Sequence, residues 1–168
     1  GVHVVGSASG DAEEEVLLLR DGEDRPEAIV CAVPFLRDRD VRKSSEHEHS
    51  RDKAALLCAG IADHYKKVET VARKLRGEVQ ESTGITIPII VTGHLFTTGS
   101  KTSDDDGVRD LYVGASGEIP ATIFGDYADY VALGPLHIPQ RVAGLETIRY
   151  AGSPIPMGFG EAGQSKLI

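Results

Sequence analysis

Apolar residues occur in short blocks along the chain, and the spacing within each block predicts its secondary structure. The apolar blocks that predict strands lie at residues 2–5, 16–19, 27–35, 85–94 and 129–134. The block at 27–35 is continuous and closes near Pro34, which is typical of a strand buried on both faces. Residues 141–154 predict a hairpin of two strands joined at or near Gly144.

One long helix is predicted between Ser50 and Arg76. Its apolar residues recur every three or four positions and so form one stripe: Leu57, Ile61, Tyr65, Val68, Ala72 and Leu75. Ser50 is a suitable N-cap, and Gly77 is a suitable stop. The Lys and Arg residues at 66–76 lie mostly off the stripe, which favours a solvated face over a DNA-binding patch. The charged segment 36–53 is predicted to be an exposed loop.

The order of these elements and the composition together predict one α/β unit spanning residues 1–168. The chain is 40% hydrophobic, which is enough for a core, yet no apolar run approaches the roughly 18 residues of a membrane span. The N-terminus does not have the pattern of a signal peptide, and Cys31 and Cys58 are predicted to be reduced core thiols, so we expect a cytoplasmic protein. The net charge of -8 argues against a protein that binds nucleic acid by a basic coat, but not against a metal-dependent nuclease.

Two segments share one design, in which an apolar strand is followed by glycine and then histidine. They are "PIIVTGH", which ends at His94, and "YVALGPLH", which ends at His137. Loops after strand ends in α/β proteins commonly hold ligands, and glycine allows a sharp turn that aims the imidazole across neighbouring strand ends. Neutral imidazole binds Zn, Mn and Fe-type ions, so the pair predicts a shared metal site. The alternative is two histidines that only cap or hydrogen-bond the turn.

Other polar clusters are weaker candidates. His47 and His49 lie in a charged loop, and the acidic run 104–106 lacks the spacing of a calcium-binding loop. Ser153 precedes a proline and is not part of a nucleophile elbow. His3 and His64 are predicted on the surface of a strand and of the helix, respectively.

Six longer segments are informative when they are taken together: "CAVPFLRDRDVR", "KLRGE", "IPIIVTGHL", "GVRDLYVG", "DYVALG-LH--Q" and "IRYAGSPIPMGFGEAGQSK". In this order they resemble the SbcD-type DNA nuclease subunits of bacteria, which belong to the calcineurin-like metallophosphoesterase superfamily. They cover nearly the whole chain and correspond to the second half of the family's nuclease domain. The resemblance implies part of a two-sheet β sandwich flanked by helices, with two manganese ions at the strand ends.

The resemblance also assigns residues, and one of them departs from the family pattern. It makes His94 a ligand of one manganese ion and His137 a ligand of the other, as the second histidine of a "GHxH" turn. The first histidine of that turn should stand at position 135, where this chain has proline, which cannot coordinate a metal. The family's earlier Asp-x-His and Gly-Asn-His-Asp motifs do not occur here, and Gly10-Asp11 lies in an acidic loop with no apolar strand before it. We therefore predict no catalytic residue in this chain.

Three functions stay open. The leading one is a portion of a manganese-dependent DNA exo/endonuclease that processes double-strand ends and hairpins in DNA repair with an SbcC-type ATPase partner, inactive as this chain alone. The alternatives are a non-catalytic truncated paralogue that acts as a binding module, and a phosphoesterase with a different substrate. A half domain leaves open strand edges and apolar faces, so we expect either a homodimer or a companion chain that carries the first half.

Overall fold

The computed structural model describes residues 1–41, 50–98, 119–161 and 163. Its strands are β1 (Val16–Arg20), β2 (Pro26–Cys31), β3 (Ile89–His94), β4 (Tyr130–Gly134), β5 (Gln140–Val142) and β6 (Leu145–Tyr150). Its helices are α1 (Asp38–Val41) and α2 (Ser50–Thr83), with 3-10 turns at Ala12–Glu15, Ala121–Phe124 and Phe159–Glu161. His47, His49 and the acidic run 104–106 lie outside the described residues.

The six strands form a mixed sheet in the order β1-β2-β3-β4-β6-β5. The four central strands are parallel, and the two edge strands β1 and β5 run antiparallel to their neighbours. This arrangement confirms the predicted α/β class. Within the described residues the strands belong to this one sheet, so the two-sheet sandwich stays a prediction.

One face of the sheet forms the core together with α2. Alternate strand residues are almost fully covered there: Ile29, Cys31, Ile89, Val91, Val131, Leu133, Ile148 and Tyr150. The residues between them point to the other face, where Val30, Ile90 and Ala132 are only partly covered by the described residues. Parallel strands normally have both faces covered. The second face is therefore an apolar surface that the described residues leave half open.

Helix α2 follows the predicted stripe but continues two turns further than predicted. Gly77 does not end it, because the stripe continues to Val79, which is buried in the core. The roughly 1 kcal/mol cost of a glycine inside a helix is smaller than the gain from burying one more valine. The helix ends instead at Gly84, whose φ of 75° is left-handed and whose N–H donates to the Gln80 carbonyl at 2.8 Å.

The strand predictions are confirmed in five places and wrong in one. β1, β2, β3 and β4 lie within a few residues of their predicted positions, and the predicted hairpin is β5–β6, turning at Ala143 and Gly144 with φ of 50° and 76°. The predicted strand at 2–5 does not form, and Val2 and Val4 are exposed. A short apolar run without a neighbour to complete its hydrogen bonds has no reason to become a strand.

Prolines make two of these strands shorter than predicted. β2 ends at Cys31, before Pro34, and β3 begins only after Pro88, which has no N–H to donate to a ladder. The predicted loop at 36–53 contains the one-turn helix α1 within its described part. Among the residues that the structure describes, no helix combines the length and the apolar character needed to cross a bilayer.

Candidate metal centre at the strand ends

Both predicted site histidines lie at the same edge of the sheet. β3 and β4 are parallel neighbours, and their register sets His94 beside Gly134. His137 follows Gly134 by three residues, in the turn that leaves β4. A side chain at Gly134 would place its Cβ 3.0 Å from His94 Nδ1, so the absence of a side chain there gives the imidazole its room. The fold thus brings together the ends of the two strand-Gly-His segments.

His94 is covered on one side by neighbouring residues and exposed on the other, where it borders an open cleft of about 470 Å³. The cleft is lined by Val33, Pro34, Phe35, Thr92, Gly93 and His94. The Phe35 ring meets the His94 ring edge-on, with centroids 5.7 Å apart and planes at 86°. Partial burial lowers the pKa of His94, because a charged imidazolium is poorly solvated there. The ring is therefore neutral at neutral pH, which is the form that binds metals.

His137 is held by a buried carboxylate that the sequence did not point to. Its Nδ1 lies 2.8 Å from Glu161 Oε1, and Glu161 is fully buried. The other oxygen of Glu161 accepts hydrogen bonds from Ser153 Oγ and from the Met157 N–H, each at 3.2 Å. A histidine that ligates a metal commonly uses its other ring nitrogen to contact a carboxylate in this way.

Backbone contacts fix this arrangement from both sides. The Ser153 N–H donates to the His137 carbonyl at 3.0 Å, which ties the turn after β4 to the chain after β6. Gly152 has a φ of 76°, and a Cβ there would lie 2.7 Å from the Pro139 ring. Only glycine allows this close approach with that backbone conformation.

The position of His64 contradicts its sequence prediction. His64 is not on the helix surface: it is 8% exposed, and its Nε2 lies 2.8 Å from Oε2 of Glu15, which is 1% exposed. The helical spacing failed here because His64 adjoins the stripe residue Tyr65 and faces the turn before β1. Among the described residues, Glu15 Oε1 has no hydrogen-bond partner. The pair is remote in sequence from the strand-end histidines and lies within the core.

Cys31 behaves as the predicted core thiol. It is completely buried in β2, and burial, with a smaller contribution from Glu15, raises the pKa of its thiol to about 12. A thiol with so high a pKa stays protonated at neutral pH, which makes it a poor nucleophile. Burial also raises the pKa of the Cys58 thiol.

Several cations of α2 pair with carboxylates, in keeping with a solvated face. Lys66 Nζ and Arg73 Nε each lie 2.8 Å from Glu69, and Arg73 also pairs with Asp126. The Lys66 contact, aided by Arg73, lowers the pKa of the Glu69 carboxyl. These contacts neutralise much of the positive charge that a phosphate backbone would need.

The two strand-end imidazoles fit manganese or zinc as donors but do not complete a site. Within the described parts of the chain, no three His, Cys, Asp or Glu side chains converge on one point. Catalytic metal sites generally use at least three protein ligands. His94 and His137 can therefore contribute to a metal centre, and further ligands must come from elsewhere.

Comparisons with known proteins agree with the resemblance inferred from the six segments. No family model matches the chain. It is 42% identical over 161 residues to the SbcD subunit of the SbcCD nuclease of Escherichia coli (strain K12), a match that covers 96% of this chain. It is 33% identical over 171 residues to the protein of the same name from Rhodobacter capsulatus and 36% identical over 80 residues to that from Bacillus subtilis. The chain spans only 38% and 39% of the length of the first two.

Proposed function

Because this chain is related over nearly its whole length to the SbcD subunits of bacterial SbcCD nucleases, we propose that it is a portion of a metal-dependent DNA nuclease. The reaction is hydrolysis of phosphodiester bonds, with the processing of double-strand ends and hairpins in DNA repair as its role. The observation that carries the proposal is the placement of His94 and His137 at adjacent parallel strand ends in such a chain.

His94 and His137 are proposed as ligands of two different manganese ions, as the resemblance implies. When bound, the ions would activate a water and stabilise the charge that develops on the phosphate under attack. The chain's own contribution is to hold neutral imidazoles in place. The lowered pKa of His94 and the carboxylate behind His137 both support this role.

Pro135 makes the proposed site incomplete. It stands where the family's turn has a histidine, and a proline side chain has no atom that can bind a metal. The family's other ligands belong to motifs that do not occur in residues 1–168. We therefore propose that the chain alone does not cleave DNA.

The partners of this function follow from the relatives and from the open sheet face. The relatives are named as SbcD subunits of the nuclease SbcCD, which supports DNA as substrate and an SbcC-type protein as partner. Val30, Ile90 and Ala132 are only partly covered, which supports a layer packed on them as in the two-sheet sandwich. That layer would come from a companion chain that carries the first half, or from a second copy of this chain.

A chimera tests the proposal. The segment of the Escherichia coli relative that aligns with this chain is replaced by this chain, and cleavage of linear duplex and hairpin DNA is measured with manganese. We expect the chimera with Pro135 to cleave much more slowly than the unmodified relative. The loss should exceed the roughly 10- to 100-fold typical of removing an outer-shell partner, because a direct ligand is missing.

Two further variants of the chimera identify the cause. Pro135→His should restore cleavage, and His94→Ala added to it should abolish cleavage again. The same Pro135→His change in the isolated chain should give no cleavage, because too few ligands remain. Full activity of the chimera with Pro135 would show that this position is not a ligand site. Manganese-dependent cleavage by the isolated chain would refute the proposed dependence on residues outside it.

Pro135 also supports a second candidate, a non-catalytic binding module. A module has no need of the missing ligand, and its fold would survive the substitution. If the Pro135→His chimera is folded and binds DNA but does not cleave, the module becomes the better account.

A further inference from the structure

We propose that Glu161 is a positioning residue that keeps the proton of His137 on Nδ1 and so makes Nε2 the nitrogen that carries a lone pair. The placement of the proton follows from the geometry of the described residues alone. Its consequence for metal binding rests on the function proposed above.

Among the described residues, the groups that contact the Glu161 carboxylate fall into two sets. Oε1 faces the His137 ring, with 2.8 Å to Nδ1. Oε2 accepts from Ser153 Oγ and from the main-chain N–H of Met157. A main-chain N–H can only donate, and an ionised carboxylate can only accept. When the Glu161 carboxylate is ionised, the hydrogen between Nδ1 and Oε1 therefore belongs to the ring.

Burial makes this preference strong. Glu161 is 0% exposed, and the His137 ring is largely covered. A hydrogen bond from N–H to a carboxylate is strengthened in such a low-dielectric environment, since water does not reach the Glu161 carboxylate and has little access to the His137 ring. Glu161 is itself fixed by the 3-10 turn Phe159–Glu161, in which its N–H donates to the Gly158 carbonyl at 3.1 Å.

The tautomer decides which ring nitrogen can bind a metal. With the proton on Nδ1, only Nε2 has a lone pair to share. With the proton on Nε2, that nitrogen becomes a donor and can no longer act as a ligand. Carboxylates behind ligating histidines fix the ring in this way and raise its basicity.

The substitution Glu161→Gln tests the placement of the proton. The glutamine amide should orient with its oxygen at the position of Oε2, because the Met157 N–H needs an acceptor there. The amide NH₂ then faces His137 Nδ1 and needs an acceptor there. The proton is forced onto Nε2, as happens when an asparagine replaces the aspartate behind a catalytic histidine.

The measurement is the ¹⁵N NMR spectrum of the histidine rings in the full chain, free of metal, at a pH well above the ordinary imidazole pKa. The His137 signals are assigned by their loss in His137→Asn. In the unchanged chain we expect Nδ1 at the shift of a protonated ring nitrogen and Nε2 at that of an unprotonated one. In Glu161→Gln the two shifts should exchange.

Ser153→Ala is the matched control. It removes one hydrogen bond to Oε2 and leaves the Met157 and His137 contacts, so the tautomer should not change. A His137 proton on Nε2 in the unchanged chain overturns the proposal without any variant, so a variant that fails to fold does not leave it untested. Unchanged shifts in a folded Glu161→Gln chain overturn it equally.

A manganese titration of the same samples separates this inference from the proposed function. If both are right, the affinity at His137 falls roughly 10- to 100-fold in Glu161→Gln and not in Ser153→Ala. If the shifts exchange while His137 binds no manganese in any sample, Glu161 positions the ring but the ligand assignment fails.

Discussion

The buried pair of His64 and Glu15 offers a direct test of the core. The substitution His64→Leu keeps a side chain of similar size but removes the contact of 2.8 Å to Glu15 Oε2. Among the described residues, the other oxygen of Glu15 has no partner. The substitution therefore leaves a carboxylate that is 1% exposed without any partner that the structure describes.

The expected cost is large compared with the stability of a single domain. Removing the partner of a buried carboxylate leaves its charge uncompensated, which typically costs about 3–5 kcal/mol out of a total of roughly 5–15 kcal/mol. Replacing both members by apolar residues removes the unpaired charge. The double variant Glu15→Leu/His64→Leu should therefore unfold within about 1 kcal/mol of the unchanged chain or be more stable than it.

Urea unfolding of the full chain, followed by circular dichroism, measures these differences. With a slope of roughly 2 kcal/mol per molar urea, His64→Leu should lower the midpoint by about 2 M. His3→Leu is the matched control, since His3 is exposed, and it should change stability by less than about 0.5 kcal/mol. A loss below about 1 kcal/mol in His64→Leu, or a double variant as unstable as the single one, would refute the reasoning.

Two further predictions concern α2 and the sheet beneath it. Gly93→Ala places a methyl group against the hydroxyl of the buried Tyr65, so it should lower the free energy of unfolding in urea by about 1–3 kcal/mol. Gly77→Ala meets no atom within 4 Å and should raise that free energy by about 0.5–1 kcal/mol, because alanine favours the helix; equal effects of the two substitutions would contradict the packing. Glu69 has a lowered pKa owing first to Lys66, so its contribution to stability is complete above the ordinary carboxyl pKa of roughly 4.3 and is lost as the pH falls through the lowered value. The difference in unfolding free energy between Glu69→Gln and the unchanged chain should therefore be constant near neutral pH and vanish in acid, and a difference that persists in acid would argue against the ion pairs as its source.

Local pattern was enough to predict the central strands, the long helix and the β5–β6 hairpin. In those elements the apolar residues that set the period are the ones that become buried, as in the stripe from Leu57 to Ala72. Pattern failed where a distant partner decides the outcome. Among the described residues, the run at 2–5 has no neighbouring strand to pair with. The helix continues through Gly77 because Val79, two residues later, is buried.

In the candidate site, too, local pattern predicted some residues, and contacts between distant parts of the chain decided the others. His94 and His137 could be predicted because each follows its own strand and a glycine. Glu161 could not, since it lies 24 residues from His137 in sequence and meets it only through the path of the chain after β6. His64 was misplaced for a related reason, because Glu15, 49 residues earlier, compensates the burial of its polar ring.

Paramagnetic broadening is the most direct test of our proposal that His94 and His137 bind divalent metal. Small amounts of Mn²⁺ are added to the full chain while the ring signals of its assigned histidines are followed by NMR. We predict that the His94 and His137 signals broaden first, while those of the buried His64 and the exposed His3 stay sharp. Equal broadening at His3, or sharp signals at His94 and His137 throughout, would contradict the claim.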